Sequence, residues 1–211
     1  MHDLVIFDCD GVLVDSEIPS NQALADSLSR YGLNLTLAEC LSIFAGHTTG
    51  ECMEKARELG VTLPDNWGKE LDAETNKLLR SGVPVIHGIF EVLGHLDKCG
   101  LPYCVASNGP PSKMKVTMGQ NDLWDRFKDA LFSAEVLGIG KPDPTLFLTA
   151  AKHFGASSPV VIEDSLAGVT AAIRANMRCL AYAPHGNGAV LADLGAEVFT
   201  DMAEVPRLLG I

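Results

Sequence analysis

Short apolar runs with no polar alternation constrain this chain more than any other feature. Leu4-Val5-Ile6-Phe7, Tyr103-Cys104-Val105-Ala106 and Val160-Val161-Ile162 are too short for ordinary helices, and their two faces are equally apolar. Such runs read as strands buried on both sides, the condition of a parallel sheet covered by helices. Ala130-Leu131-Phe132, Cys179-Leu180-Ala181-Tyr182 and Val198-Phe199 are further strand candidates. Between them, the spacing predicts helices over residues 90–99, 112–120, 145–154 and 167–175. Strand and helix alternating in this way define the α/β class.

One stretch breaks the rhythm. A helix is expected over 18–31, with Ala23, Leu24, Leu28 and Tyr31 on one face and Gly32 as its stop. Helix-like segments then follow around 37–44, 49–59 and 69–79, with no buried strand before residue 81. The pattern is that of an insertion. It divides the chain into an α/β core over 1–16 and 85–211 and a small all-helical domain over 17–84.

Bulk properties narrow the classes of partner. A chain of 211 residues has room for one core and a small insert. Its net charge of −11 argues against nucleic acid, whose phosphates need a basic face. No apolar run approaches the roughly 18 residues of a membrane span. The run Leu4–Phe7, followed at once by Asp8, is too short and too acidic in its flank for a signal peptide, so a cytoplasmic protein is expected. The six cysteines form no C-x-x-C pair and read as reduced, packed small hydrophobes, without a zinc site or disulfide framework.

In a parallel sheet, ligands sit beyond the carboxyl ends of the strands. Four polar clusters fall at or near such ends. Asp8 and Asp10 flank Cys9 after the first strand, and in an extended backbone they point into one volume, where repulsion favours a cation or a shared proton. The alternative is a solvated loop. Glu163-Asp164-Ser165 follows the Val160–Ile162 strand and reads either as a helix cap or as carboxylates completing an oxygen-rich site of the kind magnesium takes. Ser107-Asn108-Gly109 reads as a turn, or as a hydroxyl and an amide aimed at phosphate oxygens. Lys141, followed by Pro142, is either solvated or placed to neutralise charge building on a phosphoryl group.

Taken in order, these clusters resemble the four motifs of the haloacid dehalogenase-like superfamily. Asp8-Cys9-Asp10-Gly11-Val12-Leu13-Val14-Asp15-Ser16 is similar to its first motif and Ser107-Asn108 to its second. Lys141-Pro142-Asp143-Pro144 is similar to the third, and Glu163-Asp164-Ser165 with Gly168 to the fourth. The resemblance spans the whole chain and implies a Rossmann-like core with an inserted helical cap. It implies a magnesium-dependent phosphatase in which Asp8 is the nucleophile and Asp10 the acid/base. Ser107, Asn108 and Lys141 would hold the phosphoryl oxygens. Magnesium would be held by the Asp8 side chain, the Asp10 carbonyl and Asp164, with Glu163 a further ligand or just behind them.

The same resemblance makes Phe44-Ala45-Gly46-His47-Thr48-Thr49 the specificity loop of the cap, with Gly46, His47 and Thr48 facing the substrate. Sugar phosphomutases of this branch, the alternative reading, carry an arginine where Thr49 stands and a hinge histidine near Ser20 and Asn21, so hydrolysis is favoured. Ser107-Asn108-Gly109-Pro110 with Lys113-Met114 and Met118-Gly119 resembles the 6-phosphogluconate phosphatase branch, at positions expected to shape the fold around the site. The expected partner is a small phosphorylated metabolite, the expected cofactor is magnesium, and a monomer or weak dimer is expected.

Overall fold

The structure is a computed structural model, and it describes every residue except Met1, Ala45, Gly46, Thr48 and His185. In chain order the elements are β1 (Leu4–Phe7), α1 (Glu17–Arg30), α2 (Leu37–Phe44), α3 (Thr49–Glu58) and α4 (Trp67–Leu79). Next come α5 (Ile89–Cys99), β2 (Tyr103–Ser107), α6 (Pro111–Gly119), α7 (Trp124–Phe127), β3 (Leu131–Ser133) and α8 (Ala134–Leu137). The chain closes with α9 (Thr145–Phe154), β4 (Pro159–Glu163), α10 (Leu166–Arg174), β5 (Arg178–Tyr182), α11 (Gly188–Asp193), β6 (Glu197–Phe199) and α12 (Val205–Leu209). Two compact units result, one of residues 1–15 and 84–211, the other of residues 16–83.

In the larger unit all six strands are parallel, in the order β3-β2-β1-β4-β5-β6. The order reverses between β1 and β4, and a crevice at such a switch point is where doubly wound sheets hold ligands. Residues Leu4 to Phe7 are fully buried, as an uninterrupted apolar strand requires. Alternate residues serve opposite faces. Leu4 and Ile6 join Cys104, Ala106, Val161 and Cys179 in a cluster with Leu146, Phe147 and Ala150 of α9 and Val169 and Ala172 of α10. Phe7 meets Tyr103 and Phe127 edge-on, with ring centroids 6.3 and 6.1 Å away.

The smaller unit is helical throughout its regular structure, among the described residues. Leu24, Leu28, Cys40, Phe44, Cys52, Ala56, Trp67 and Leu71 form its core, with Tyr31 packed partly buried against it. A reciprocal cap starts α2: Thr36 Oγ1 accepts the Glu39 amide at 3.2 Å, and Glu39 Oε2 accepts the Thr36 amide at 2.8 Å. Trp67, 1% exposed, donates its indole N–H to the buried Ser27 hydroxyl at 3.0 Å, tying α4 to α1.

All six cysteines are free thiols, and five are buried; Cys99 is exposed. Burial pushes the Cys40 thiol up to about 11 and the Cys52 thiol up to about 12, so both stay neutral. No helix among the described residues is long and apolar enough to cross a membrane.

The indole contact gives a stability test. Trp67→Phe is expected to cost about 1–3 kcal/mol in urea unfolding, because it strands the Ser27 hydroxyl and leaves a void. The solvated Arg30–Glu74 pair of the same unit, 2.7 Å long, is expected to cost under ~1 kcal/mol when removed by Glu74→Gln.

Candidate active site

The β1–β4 pairing brings the site together. Phe7 lies opposite Ile162, and the Asp8 amide continues the ladder by donating to the Ile162 carbonyl at 2.9 Å. Parallel register therefore sets Asp8 beside Glu163. The two carboxylates would repel, and Lys141 stands between them. Its ammonium donates to Asp8 Oδ1 in a very short contact and to Glu163 Oε1 at 2.6 Å. The lysine side chain is 3% exposed and that of Glu163 fully buried. The Phe147 ring adds a cation–π contact, its centroid 4.9 Å from the ammonium.

The electrostatics follow from this crowding. Burial, reinforced by Glu163 and Asp10, pushes the Asp8 carboxyl up to about 7, against the opposing pull of Lys141. Burial alone would depress Lys141, but Asp8 and Glu163 outweigh it and hold the ammonium well above its usual range. Burial, with Asp10 and Asp8 on either side, keeps Cys9 a neutral thiol.

Glu163 is fully engaged. Besides Lys141 on Oε1, its Oε2 accepts the Asp164 and Ser165 amides at 2.8 and 2.9 Å and the Ser165 hydroxyl at 3.0 Å. Ser165 also caps α10, its Oγ accepting the Gly168 amide at 3.0 Å. The helix cap and the carboxylate cluster expected of this segment thus coexist. A Cβ on Gly168 would sit 1.7 Å from Glu163 Oε1, so glycine gives that carboxylate its space.

Asp8, Glu163 and Asp164 each offer an oxygen within 4.8 Å of the others. Asp164 reaches this cluster over Gly11, whose φ of +83° closes the turn after Asp10. A Cβ there would lie 1.9 Å from Asp164 Oδ2.

Lys141 is also held by its backbone. The Asn108 side chain clasps it at two points, Oδ1 accepting the Lys141 amide at 2.8 Å and Nδ2 donating to its carbonyl at 3.2 Å. The Asn108 side chain is thus occupied, and its backbone amide is the group left for the role expected at Asn108. Ser107 is buried, and its Oγ accepts the Gly109 amide at 3.0 Å.

Sequence reasoning gave Lys113 a part only in shaping the fold. Its ammonium donates to Asp10 Oδ2 at 2.9 Å. Burial works against that charge, but Asp10 beside it prevails and holds the lysine above its usual range. A signal was available: a lysine in the first turn of a helix opposes the helix dipole and calls for a compensating anion. Of the residues expected in the specificity loop, His47 is exposed and donates its amide to Phe44, at 3.1 Å. Gly46 and Thr48 lie outside the described residues.

The doubly wound sheet thus carries a buried carboxylate–lysine–carboxylate set at its switch point, with further carboxylates beside it. The family model of the haloacid dehalogenase-like hydrolases matches residues 5–182, and the chain belongs to that family. It is 31% identical to the 6-phosphogluconate phosphatase of Escherichia coli (strain K12), covering 97% of this chain and 93% of that protein. Among solved structures, it is similar to a haloacid dehalogenase-like protein from Agrobacterium tumefaciens str. C58 with a TM-score of 0.88 and 31% identity, covering 100% and 98% of the two chains. A family hydrolase from Deinococcus radiodurans R1, solved with bound phosphate and sodium, has a TM-score of 0.84 and 30% identity, covering 99% and 95%.

Gly11→Ala tests the packing of the carboxylate cluster. The added methyl displaces Asp164, so magnesium affinity by calorimetry is expected to fall about 10–100-fold while the thermal unfolding transition stays cooperative. Unchanged affinity would separate Asp164 from cation binding.

Proposed function

We propose that this hydrolase is a magnesium-dependent phosphatase of a small phosphorylated metabolite, a sugar or sugar-acid phosphate, acting through a phosphoryl group carried on Asp8. The observation that carries this reading is the Asp8 carboxylate itself, buried at the end of the central strand with Lys141 on one oxygen. Its similarity to the Escherichia coli 6-phosphogluconate phosphatase supports the substrate class.

Asp8, Glu163 and Asp164, all oxygen donors within 4.8 Å of one another, make a setting that fits a hard divalent cation. Asp8, Asp164 and the Asp10 backbone carbonyl would hold magnesium. Bound there, it would offset the repulsion between carboxylate and phosphate and polarise the phosphoryl group. Glu163 spends both oxygens on Lys141 and its own turn, so its part is to hold the lysine in place.

In the first step an Asp8 oxygen bonds to phosphorus as the ester P–O bond breaks, and the leaving oxygen takes a proton from the Asp10 carboxyl. Water then attacks the same phosphorus. Asp10 takes its proton, the bond to Asp8 breaks, and the Asp8 carboxylate is restored with inorganic phosphate released. Lys141, the Ser107 hydroxyl and the Asn108 backbone amide hold the phosphoryl oxygens as charge builds on them. We assign the helical unit of residues 16–83 the role of the family's cap, with His47 as its candidate for reading the alcohol portion of the ester.

Hydrolysis is preferred to isomerisation. Thr49 stands where the mutases carry arginine, and its hydroxyl donates to Asp72 within the helical unit at 2.8 Å. A threonine there offers no charge to a second phosphate.

The test is release of phosphate from p-nitrophenyl phosphate and then from a panel of sugar and sugar-acid phosphates. Activity is expected with magnesium, to be lost on chelation with EDTA, and to be lost in Asp8→Asn with the fold intact by circular dichroism. Full activity of Asp8→Asn, or of chelated enzyme, overturns the reading.

A further inference from the structure

We infer that Lys113 is a positioning residue for the reaction: it pins one oxygen of Asp10 so that the other is held in line for proton transfer. The inference rests on the acid/base reading of Asp10 given above and assigns a part to a side chain outside the four motifs.

The argument begins with where the lysine stands. Pro110 precedes α6 in an extended conformation and Pro111 opens it, so the helix start is fixed by two restricted φ angles. The Lys113 amide closes the first turn on the Pro110 carbonyl at 3.0 Å. Met114 and Met118, both fully buried, root the helix in the core. The backbone of Lys113 is therefore anchored to the scaffold. Its charge, however, sits in the helix's first turn, where unsatisfied amides already disfavour a cation. Its side chain is also only 25% exposed, so it has given up much of its hydration. Neither helix formation nor core packing gains from a charge at that position.

What the charge meets is Asp10. The contact spans 103 positions in sequence and is 2.9 Å long, and the Asp10 side chain is likewise 25% exposed. The neighbourhood is crowded. A Cβ on Gly109 would lie 3.7 Å from Asp10 Oδ2, 3.7 Å from Lys113 Cδ and 3.3 Å from Ser107 Oγ. The lysine stem, the carboxylate and the proposed phosphate-binding hydroxyl thus converge on one glycine. The Gly109 carbonyl, in turn, accepts the Ser133 hydroxyl at 2.9 Å, which fixes this turn to the end of β3.

An aspartate on a turn can rotate about its side-chain bonds, whereas proton transfer needs its oxygen within hydrogen-bond reach of the reacting atom. A charge-assisted bond from a rooted helix removes that freedom. Lys113 holds Oδ2, and the second oxygen gives the proton to the leaving group and later takes one from water. Lys113 itself forms and breaks no covalent bond.

A double-mutant cycle on kcat tests this, with phenyl phosphate as probe at saturating magnesium. Asp10→Asn is expected to lower kcat by roughly 10²–10⁴-fold. Lys113→Met is expected to lower kcat about 10–100-fold, the range for a misplaced reacting group, with KM within about threefold of wild type. The double variant is expected to match Asp10→Asn within about threefold, because the lysine has nothing left to aim. Lys113→Arg, which keeps a charged donor, is expected to recover part of the loss. If the two losses multiply instead, or if KM rises while kcat holds, Lys113 handles substrate directly and the inference fails. Wild-type kcat in Lys113→Met also overturns it. Wild-type kcat in Asp10→Asn is a different result, since it removes the acid/base reading itself. Should Lys113→Met not fold, Lys113→Gln takes its place in the same cycle, with the same outcomes.

Discussion

An ammonium group withdrawn from water must be met by negative charge, and two carboxylates set side by side in a protein interior must be met by positive charge. Lys141, Asp8 and Glu163 solve both problems at once, and much of the larger unit is arranged around that solution. Parallel pairing of β1 with β4 delivers the carboxylates as neighbours. The lysine arrives on the segment after α8, where the Asn108 side chain clasps its backbone and Arg174 of α10 donates to the next carbonyl, that of Pro142, at 3.0 Å. Even Gly140 belongs to this arrangement, since a Cβ there would stand 2.7 Å from Asn108 Oδ1. Removing either carboxylate would leave an under-compensated buried cation, a loss of several kcal/mol for pairs of this kind.

The same triad explains how an acidic chain handles an anionic ester. The net charge of −11 belongs to the whole sequence. Within the site, Lys141 and Lys113 offset the carboxylates that crowd the end of β1. A divalent cation on the remaining carboxylate oxygens would reverse the local potential without altering the surface. Burial then strengthens each of these interactions relative to water.

Much of this was legible in the sequence, for identifiable reasons. Strands such as Leu4–Phe7 and Val160–Ile162 announce themselves because burial on both faces leaves no polar position. The longer helices, α1 to α6, α9 and α10, carry enough turns for an apolar stripe to show. The short helices α7, α8, α11 and α12 were not anticipated. Each has only four to six residues, too few for a helix that propensity alone could hold, so tertiary contacts make them. The carboxylates, Ser107 and Lys141 stood out because each follows a strand or forms part of a motif. The Asn108 clasp on Lys141 did not, since it joins residues 33 apart through a side chain that reads locally as a turn. Lys113 was read as scaffold because its partner is distant in sequence, and only the folded chain brings it to Asp10.

The central claim is that Asp8 carries the phosphoryl group, and the most direct test is to look for it there. Enzyme turning over a saturating phosphate ester with magnesium would be quenched in acid and digested, and the peptide containing Asp8 examined by mass spectrometry. The account predicts a phosphoryl group on Asp8 during turnover, absent once substrate is exhausted and absent throughout in Asp8→Asn. Steady release of phosphate with no phosphorylated peptide, or with the group on another residue, would contradict it.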